Sequence, residues 1–441
     1  MRLPALLLPC VLSTLSLALL SGTASADDAL NQRLLKAGDA LEPEVIALRR
    51  HFHQYPELSN REFETSKRIA KELRAMGLKP ETGIASTGVV AILKGGKPGP
   101  LVALRADIDA LPVEEQVDLP FASKARGTYR GEEVGVMHAC GHDTHIAMLL
   151  GAAKALVGVK EDLPGSVMFI FQPAEEGAPE GETGGAERML AEGLFEKRKP
   201  VAIFGLHTFS TFPAGMIAYR PGPTLASADQ FTITVKGRQT HGSRPWGGVD
   251  PIVIASQIVM AVQTIASRQV DVTKAPSVIS FGIIDGGVRN NIIPDEVELV
   301  GTIRNFDMGI REQIHQKLKH TAETIALSAG ATAEVEIDLG YPVTINDTAL
   351  TEQMLPTLER VVGEEHLVEA PLVTGAEDFS YFALETPGLF LFLGGSPPDV
   401  DPLAQASNHS PLFYVDESTL KTGVNVLTNL VADYLAQASS K

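Results

Sequence analysis

The chain has 441 residues, 44% hydrophobic, 21% charged and 6% aromatic, with 40 glycines and 28 prolines, the make-up of a soluble globular protein of two or three domains. Lys and Arg number 37 against 54 Asp and Glu, giving a net charge of -17. With no Lys/Arg-rich run to offset that charge, nucleic acid and anionic membrane surfaces are excluded as partners.

The first 26 residues stand apart: Arg2 is followed by an almost wholly apolar run from Leu3 to Leu20, and Ala24-Ser25-Ala26 fits the small-residue cleavage rule. This reads as a secretory signal peptide over residues 1–26, and Pro4, Pro9 and the small-residue exit weigh against a membrane anchor. The expectation is an exported protein, periplasmic or secreted, with no stable membrane association after cleavage. Cleavage removes Cys10 and leaves Cys140, so no intramolecular disulfide can form.

From Leu30 to Leu73 the pattern is helical, with Leu41, Val45 and Leu48 on one face and Phe63, Ile69 and Leu73 on a second helix beyond Pro56. Short apolar strands then alternate with helices: Val89 to Leu93, Leu101 to Ala106, a helix from Thr144 to about Val157, Val167 to Phe171, and Val201 to Leu206. This predicts an α/β fold with a mostly parallel or mixed sheet buried on both faces.

Near residue 225 the pattern changes. Phe231, Ile233 and Val235 alternate with polar residues, and a helix starts with Asp250 as N-cap and Pro251 at its first position. Its expected buried stripe is Ile252, Ile254 or Ala255, Ile258, Val259, Val262 and Ile265. Strands at Ser277 to Ile284 and Glu296 to Ile303, a helix capped by Asp307 and a strand at Ala333 to Ile337 complete a ferredoxin-like α+β order. The expected division is therefore 27–224 and 341–441 for one domain, with 225–340 inserted between its halves. A helix from Asp416 to about Leu435 closes the chain.

The densest chemistry lies in Met137-His-Ala-Cys-Gly-His-Asp143. Cys140 and His142 can present sulfur and imidazole to one metal from a turn before a helix, a pair that suits zinc or a similar borderline ion. Taken alone, the segment reads equally as a loop cysteine among surface histidines. The Val167 to Phe171 strand leads to Glu175-Glu176, and paired carboxylates there are costly unless they bind a cation or share a proton. One of such a pair can hold metal while the other moves the proton of a water. The alternative is an exposed acidic loop. His207, ending the next strand, and His409, in a loop before Pro411, are further candidates.

Five segments carry a family resemblance: Ala103-Leu-Arg-Ala-Asp-Ile-Asp-Ala-Leu-Pro112, Met137 to Asp143, Phe171-Gln-Pro-Ala-Glu-Glu176, Gly301-Thr-Ile-Arg304 and Ala376-Glu-Asp-Phe379. The chain from about Leu48 to its last helix resembles the amidohydrolase branch, subfamily D, of the M20 metallopeptidase family, whose members include hippurate hydrolases, N-acyl-amino-acid deacylases and plant indole-acetyl-amino-acid hydrolases. The resemblance implies a zinc-peptidase-like catalytic domain and an inserted lid and dimerisation domain. It implies one or two divalent ions per subunit, zinc, manganese, cobalt or nickel, held by Cys140, His142, Glu176, His207 and His409, with Cys140 as bridge. Glu175 becomes the general base, and Asp109 a carboxylate that orients a ligand imidazole.

In the inserted segment, His241 of His241-Gly-Ser-Arg-Pro245 resembles the residue that stabilises the oxyanion, supplied in dimeric members by the partner subunit. Asn291 and Arg304 resemble groups that hold a substrate carboxylate. A surface histidine and a structural ion pair are the alternatives for His241 and Arg304, and Gly394-Gly395 offers either an anion contact or a turn. His138 and His145 match no ligand position and read as supporting residues; His51 and His53 have no assigned role. The activity implied is hydrolysis of N-acyl amino acids by a homodimer. A dipeptidase or carboxypeptidase with the same catalytic residues, and a non-catalytic acyl-amino-acid binding protein, are the alternatives.

Overall fold

Eight strands form the larger of two main sheets, in the order Glu81–Ile84, Gly88–Lys94, Pro164–Gln172, Lys97–Asp107, Ala202–Pro213, Gly388–Ser396, Ile217–Tyr219, Leu367–Glu369. The computed structural model describes residues 26–196 and 198–439. The expected leader lies outside them except for Ala26. The four central strands, from Pro164–Gln172 to Gly388–Ser396, run parallel, and the strand at either side of this set is antiparallel to it. The sheet is thus mixed, as the alternation of strands and helices implied.

Its two faces are read directly from the period of two. Leu389, Leu391 and Leu393 enter one core, together with Leu34, Ile69, Ile146, Leu350 and Leu427 from five helices. Phe390 and Phe392 point the other way and pack with Met189, Phe379 and Phe382 from two short helices. Every residue of the Gly388–Ser396 strand is buried.

Helix Ala26–Gln54 and helix Phe63–Ala75 are the two expected helices, separated around Pro56. The strand expected to end at Leu206 continues to Pro213, because its neighbour Gly388–Ser396 keeps pairing with it past His207. His207 therefore stands within a strand and not at its end.

Four antiparallel strands form the second sheet, in the order Ser277–Asp285, Glu296–Asn305, Ser227–Lys236, Thr332–Leu339. Helices Pro251–Thr264 and Met308–Ser328 cover it, in the ferredoxin-like chain order. Asp250 caps the first helix by accepting from the N–H groups of Ile252 and Val253, and Asp307 caps the second through Ile310. Ile254, Ala255, Ile258, Val262 and Ile265 are buried against the sheet with Phe231, Ile233 and Val235. Ile252 is 44% exposed and Val259 only half-buried, so the stripe is narrower than expected. By length and composition the segment Pro251–Gln269 could cross a membrane, but this stripe faces a sheet.

Candidate metal centre

The parallel strands bring their carboxyl ends together, and the polar groups gather there. Strand Lys97–Asp107 ends in Asp107 and leads to Asp109; the turn after Pro164–Gln172 carries Glu175 and Glu176. Cys140 and His142 flank Gly141, whose φ of +97 turns the chain into helix His142–Gly158; a Cβ there would also lie 3.3 Å from Phe413. His409 comes from the segment before the last helix. Its N–H donates to the Ala139 carbonyl at 2.8 Å, and Asn408 Nδ2 donates to the carbonyls of Cys140 and Thr208, each at 2.9 Å. These bonds pin the His409 loop to both the cysteine turn and the His207 strand.

Side chains from four distant segments converge as a result. Cys140 Sγ lies 3.3 Å from His207 Nε2 and 3.3 Å from His409 Nε2. His409 Nε2 is 3.2 Å from Glu176 Oε1. His142 Nε2 faces Glu175 at 3.8 Å and Glu176 at 4.0 Å. Cys140, His142, Glu175 and His207 are buried, so the readings as surface histidines and an exposed acidic loop do not hold for them; His409 is exposed.

The imidazoles are aimed by their outer nitrogens. His142 Nδ1 contacts the Asp109 carbonyl at 2.8 Å and its carboxylate at 3.3 Å, and His207 Nδ1 contacts the Thr208 carbonyl at 3.0 Å. Each contact favours Nδ1–H and leaves the Nε2 lone pair turned to the centre. Asp109 also accepts from the N–H groups of Glu175 and Glu176, at 3.1 and 3.0 Å, and from Ser59 Oγ at 2.7 Å.

His142 Nε2 is buried without a hydrogen-bond partner among the described residues, and Glu176 Oε1 is buried with only the His409 imidazole, 3.2 Å away, to answer it. Orphaned buried atoms are costly, and a cation between them satisfies both. The sulfur, imidazole and carboxylate donors of Cys140, His142, His207, His409 and Glu176 fit zinc or another borderline divalent ion.

Charge is in excess on the negative side. Burial, then Glu377, Glu176 and Asp378, push the Glu175 carboxyl well above its usual range. Burial and Glu176 also raise the Cys140 thiol. Burial alone would lower His142, but Asp107, Asp109 and Glu176 override it and push its pKa up to about 10. A dication at this point relieves all three.

Several of these groups had no assigned role in the sequence. Arg105 reaches Asp107 at 2.7 Å, Glu377 at 2.9 Å and Asp378 at 2.8 Å, all buried. Asp107 in turn holds His145 Nδ1 at 2.6 Å, and His145 Nε2 accepts from the Thr208 N–H at 2.8 Å. The available signal was charge in an apolar strand: Arg105 and Asp107 interrupt a run that is otherwise all core. His53 is buried as well, between Asp143 at 2.9 Å and Glu115 at 3.1 Å, while Arg49 also holds Asp143. His138 is buried with both ring nitrogens unpaired, and His51 packs on Tyr55.

The candidates of residues 225–340 do not join the cluster. His241 is exposed, and its Nδ1 accepts from the N–H and Oγ of Ser243. Asn291 is exposed on the adjacent segment, where its carbonyl accepts from Gly242. Arg304 is half-buried, and desolvation lowers its pKa against the pull of Asp229. Among the described residues it makes no ion pair. Gly394 offers no anion contact: its N–H donates to Met216, and a Cβ would meet the Pro213 carbonyl at 1.7 Å. A cavity of about 570 Å³ lies beside Glu176, lined also by Ser59, Leu111, Tyr129 and Arg130, room enough for a small-molecule substrate.

Residues 103–433 match peptidase family M20/M25/M40. The chain is 43% identical to thermostable carboxypeptidase 1 of Saccharolobus solfataricus, over 87% of this chain and 93% of the relative. It is 38% identical to an N-acetyl-L-cysteine deacetylase of Bacillus subtilis, over 86% and 85%. Among solved structures, a dinuclear metal-binding peptidase of the M20 family from Bacillus subtilis superposes with a TM-score of 0.75 at 34% identity, over 90% of this chain and 99% of that one.

Proposed function

Since the chain belongs to peptidase family M20/M25/M40, we propose that it releases amino acids from their N-acyl conjugates, with Glu175 as general base. It is a metal-dependent amide hydrolase. The observation that carries the finer reading is the convergence of Cys140, His142, Glu176, His207 and His409 around Glu175, beside a cavity of about 570 Å³.

In this reading those five residues would hold one or two divalent ions. A bound divalent ion supplies Lewis-acid polarisation of the amide carbonyl and makes a water easier to deprotonate. Glu175 takes the proton of the attacking water and returns it to the leaving nitrogen. Asp109 keeps the His142 ring and the Glu175–Glu176 backbone aligned through the contacts described above.

Residues 225–340 serve as a lid. Arg304, which makes no ion pair among the described residues, takes the free carboxylate of the amino acid with help from Asn291, and His241 of a second subunit stabilises the oxyanion. Dimerisation through the lid is supported by its edge strand Ser277–Asp285, which pairs on one side only, and by exposed Val278, Ile283, Ile284, Val253 and Met260 on that strand and helix Pro251–Thr264. The apolar leader and its Ala24-Ser25-Ala26 exit support export.

The 43% identity to a carboxypeptidase favours a second reading, cleavage of a C-terminal residue from peptides. The two substrate classes present the same amide beside the same free carboxylate. A panel of hippurate, N-acetyl amino acids, indole-acetyl amino acids and dipeptides separates them, assayed before chelation, after it, and after refilling with zinc, manganese, cobalt or nickel. Chelator-sensitive release of amino acid from the N-acyl substrates is expected. Turnover confined to peptides would transfer the assignment to the peptidase, and no turnover by metal-loaded protein would sink both.

A further inference from the structure

Glu175 is held by its backbone as well as by its carboxylate surroundings. Ala174, just before it, has φ +53, a left-handed conformation that a residue with a Cβ keeps only where its neighbours over-determine it. The Ala174 N–H donates to Glu62 at 2.9 Å, and the next two N–H groups donate to Asp109. The Glu175 carbonyl accepts from Tyr341 Oη at 2.5 Å.

Glu62 precedes helix Phe63–Ala75, which packs on the larger sheet, and Asp109 follows that sheet's strand Lys97–Asp107. Tyr341 lies instead between Thr332–Leu339, the last strand of the second sheet, and Thr344–Asn346. Its own carbonyl accepts from the Ala228 N–H at 3.0 Å, in the first strand of that sheet. Beside it the Gly340 N–H donates to Asp229 at 3.2 Å, and Arg311 grips both Asp229 and the Gly340 carbonyl. The two chain connections of the second sheet are thus tied together at the residue that touches the Glu175 carbonyl.

We propose that Tyr341 is a positioning residue that makes the alignment of Glu175 depend on the placement of the 225–340 lid. Rotation of the lid about its two connections carries the phenol with it, and the strained turn beneath Glu175 follows. The proposal rests on the reading of Glu175 as general base, and the test separates the two.

Tyr341→Phe keeps the ring and its packing on Tyr381 and removes only the donor. With full metal content, kcat is expected to fall roughly 10- to 100-fold while KM stays within about twofold. In a Glu175→Gln background the same substitution is expected to change the residual rate by less than about twofold, because a residue acting through Glu175 has nothing left to align. An unchanged kcat, or an equal fractional loss in both backgrounds, overturns the proposal. High turnover by Glu175→Gln alone removes the base assignment instead. The lid arm uses Asp229→Asn, which loosens the clamp without touching Glu175: kcat is expected to fall in the native background and no further in Tyr341→Phe. Full native kcat in Asp229→Asn overturns the link to the lid, and this arm stands if Tyr341→Phe loses metal.

Discussion

The two sheets treat their polar groups in opposite ways. At the carboxyl ends of the larger sheet the functional candidates are packed into one knot, in which Cys140, His142, Glu175 and Asp107 are buried and each lies within 4 Å of another candidate. In residues 225–340, His241 and Asn291 lie exposed outside the second sheet, and Arg304, on its strand Glu296–Asn305, is half-buried with no ion pair among the described residues. The difference teaches that the larger sheet supplies a site nearly complete within one chain. The candidates of residues 225–340 join none of that knot among the described residues.

The contrast can be broken at several points. The largest expected effect is at Glu175: Glu175→Gln should keep its metal yet lose about a thousandfold or more in kcat, read from metal analysis alongside steady-state rates. Arg105→Leu should come next, in stability rather than chemistry. It leaves Asp107, Glu377 and Asp378 buried without their common cation, a loss of about 3–5 kcal/mol in denaturant unfolding.

In residues 225–340 the effects should be catalytic and should leave folding intact. His241→Ala should lower kcat about 100-fold, and mixing it with Glu175→Gln should restore part of the activity, because a mixed dimer pairs an intact His241 with an intact Glu175. No recovery on mixing would break the trans arrangement. Arg304→Ala should raise KM about tenfold for substrates with a free carboxylate and far less for their amides; equal changes for both would show that it does not hold that group.

The smallest effect should be in acid. Arg311 and His315 hold Asp229 down to about 2 although burial opposes them. A carboxyl lowered on folding stabilises above its ordinary value of 3.8 and loses that contribution as the pH falls toward 2. A stability profile over this range should flatten in Asp229→Asn, while a native-like slope would show that other carboxylates carry it.

Much of the fold was legible because its signals are local. The caps Asp250 and Asp307, the alternation of Phe231, Ile233 and Val235, and the apolar runs at Val89 to Leu93 and Val167 to Phe171 depend on neighbours a few residues away. The Gly388–Ser396 strand was not assigned, although it lies at the heart of the sheet. Its partner Ala202–Pro213 is nearly two hundred residues distant, so nothing local in the chain ties it to the sheet.

The sequence by itself determined the chemical inventory: a thiol and imidazoles beside paired carboxylates, in motifs that resemble one family, and two patterns of periodicity for two kinds of sheet. Tertiary structure alone decided which of these groups meet. Parallel strands set Asp107, Glu175 and His207 side by side, and Asn408 fastened His409 to Cys140. It also decided how the buried charges are answered inside the fold, since the chain shows Arg105 only as a charge in an apolar strand and not which carboxylates meet it. Only burial among three carboxylates makes it the cation on which they depend, because the cost of a charge is set by the solvent it loses and not by its place in the sequence.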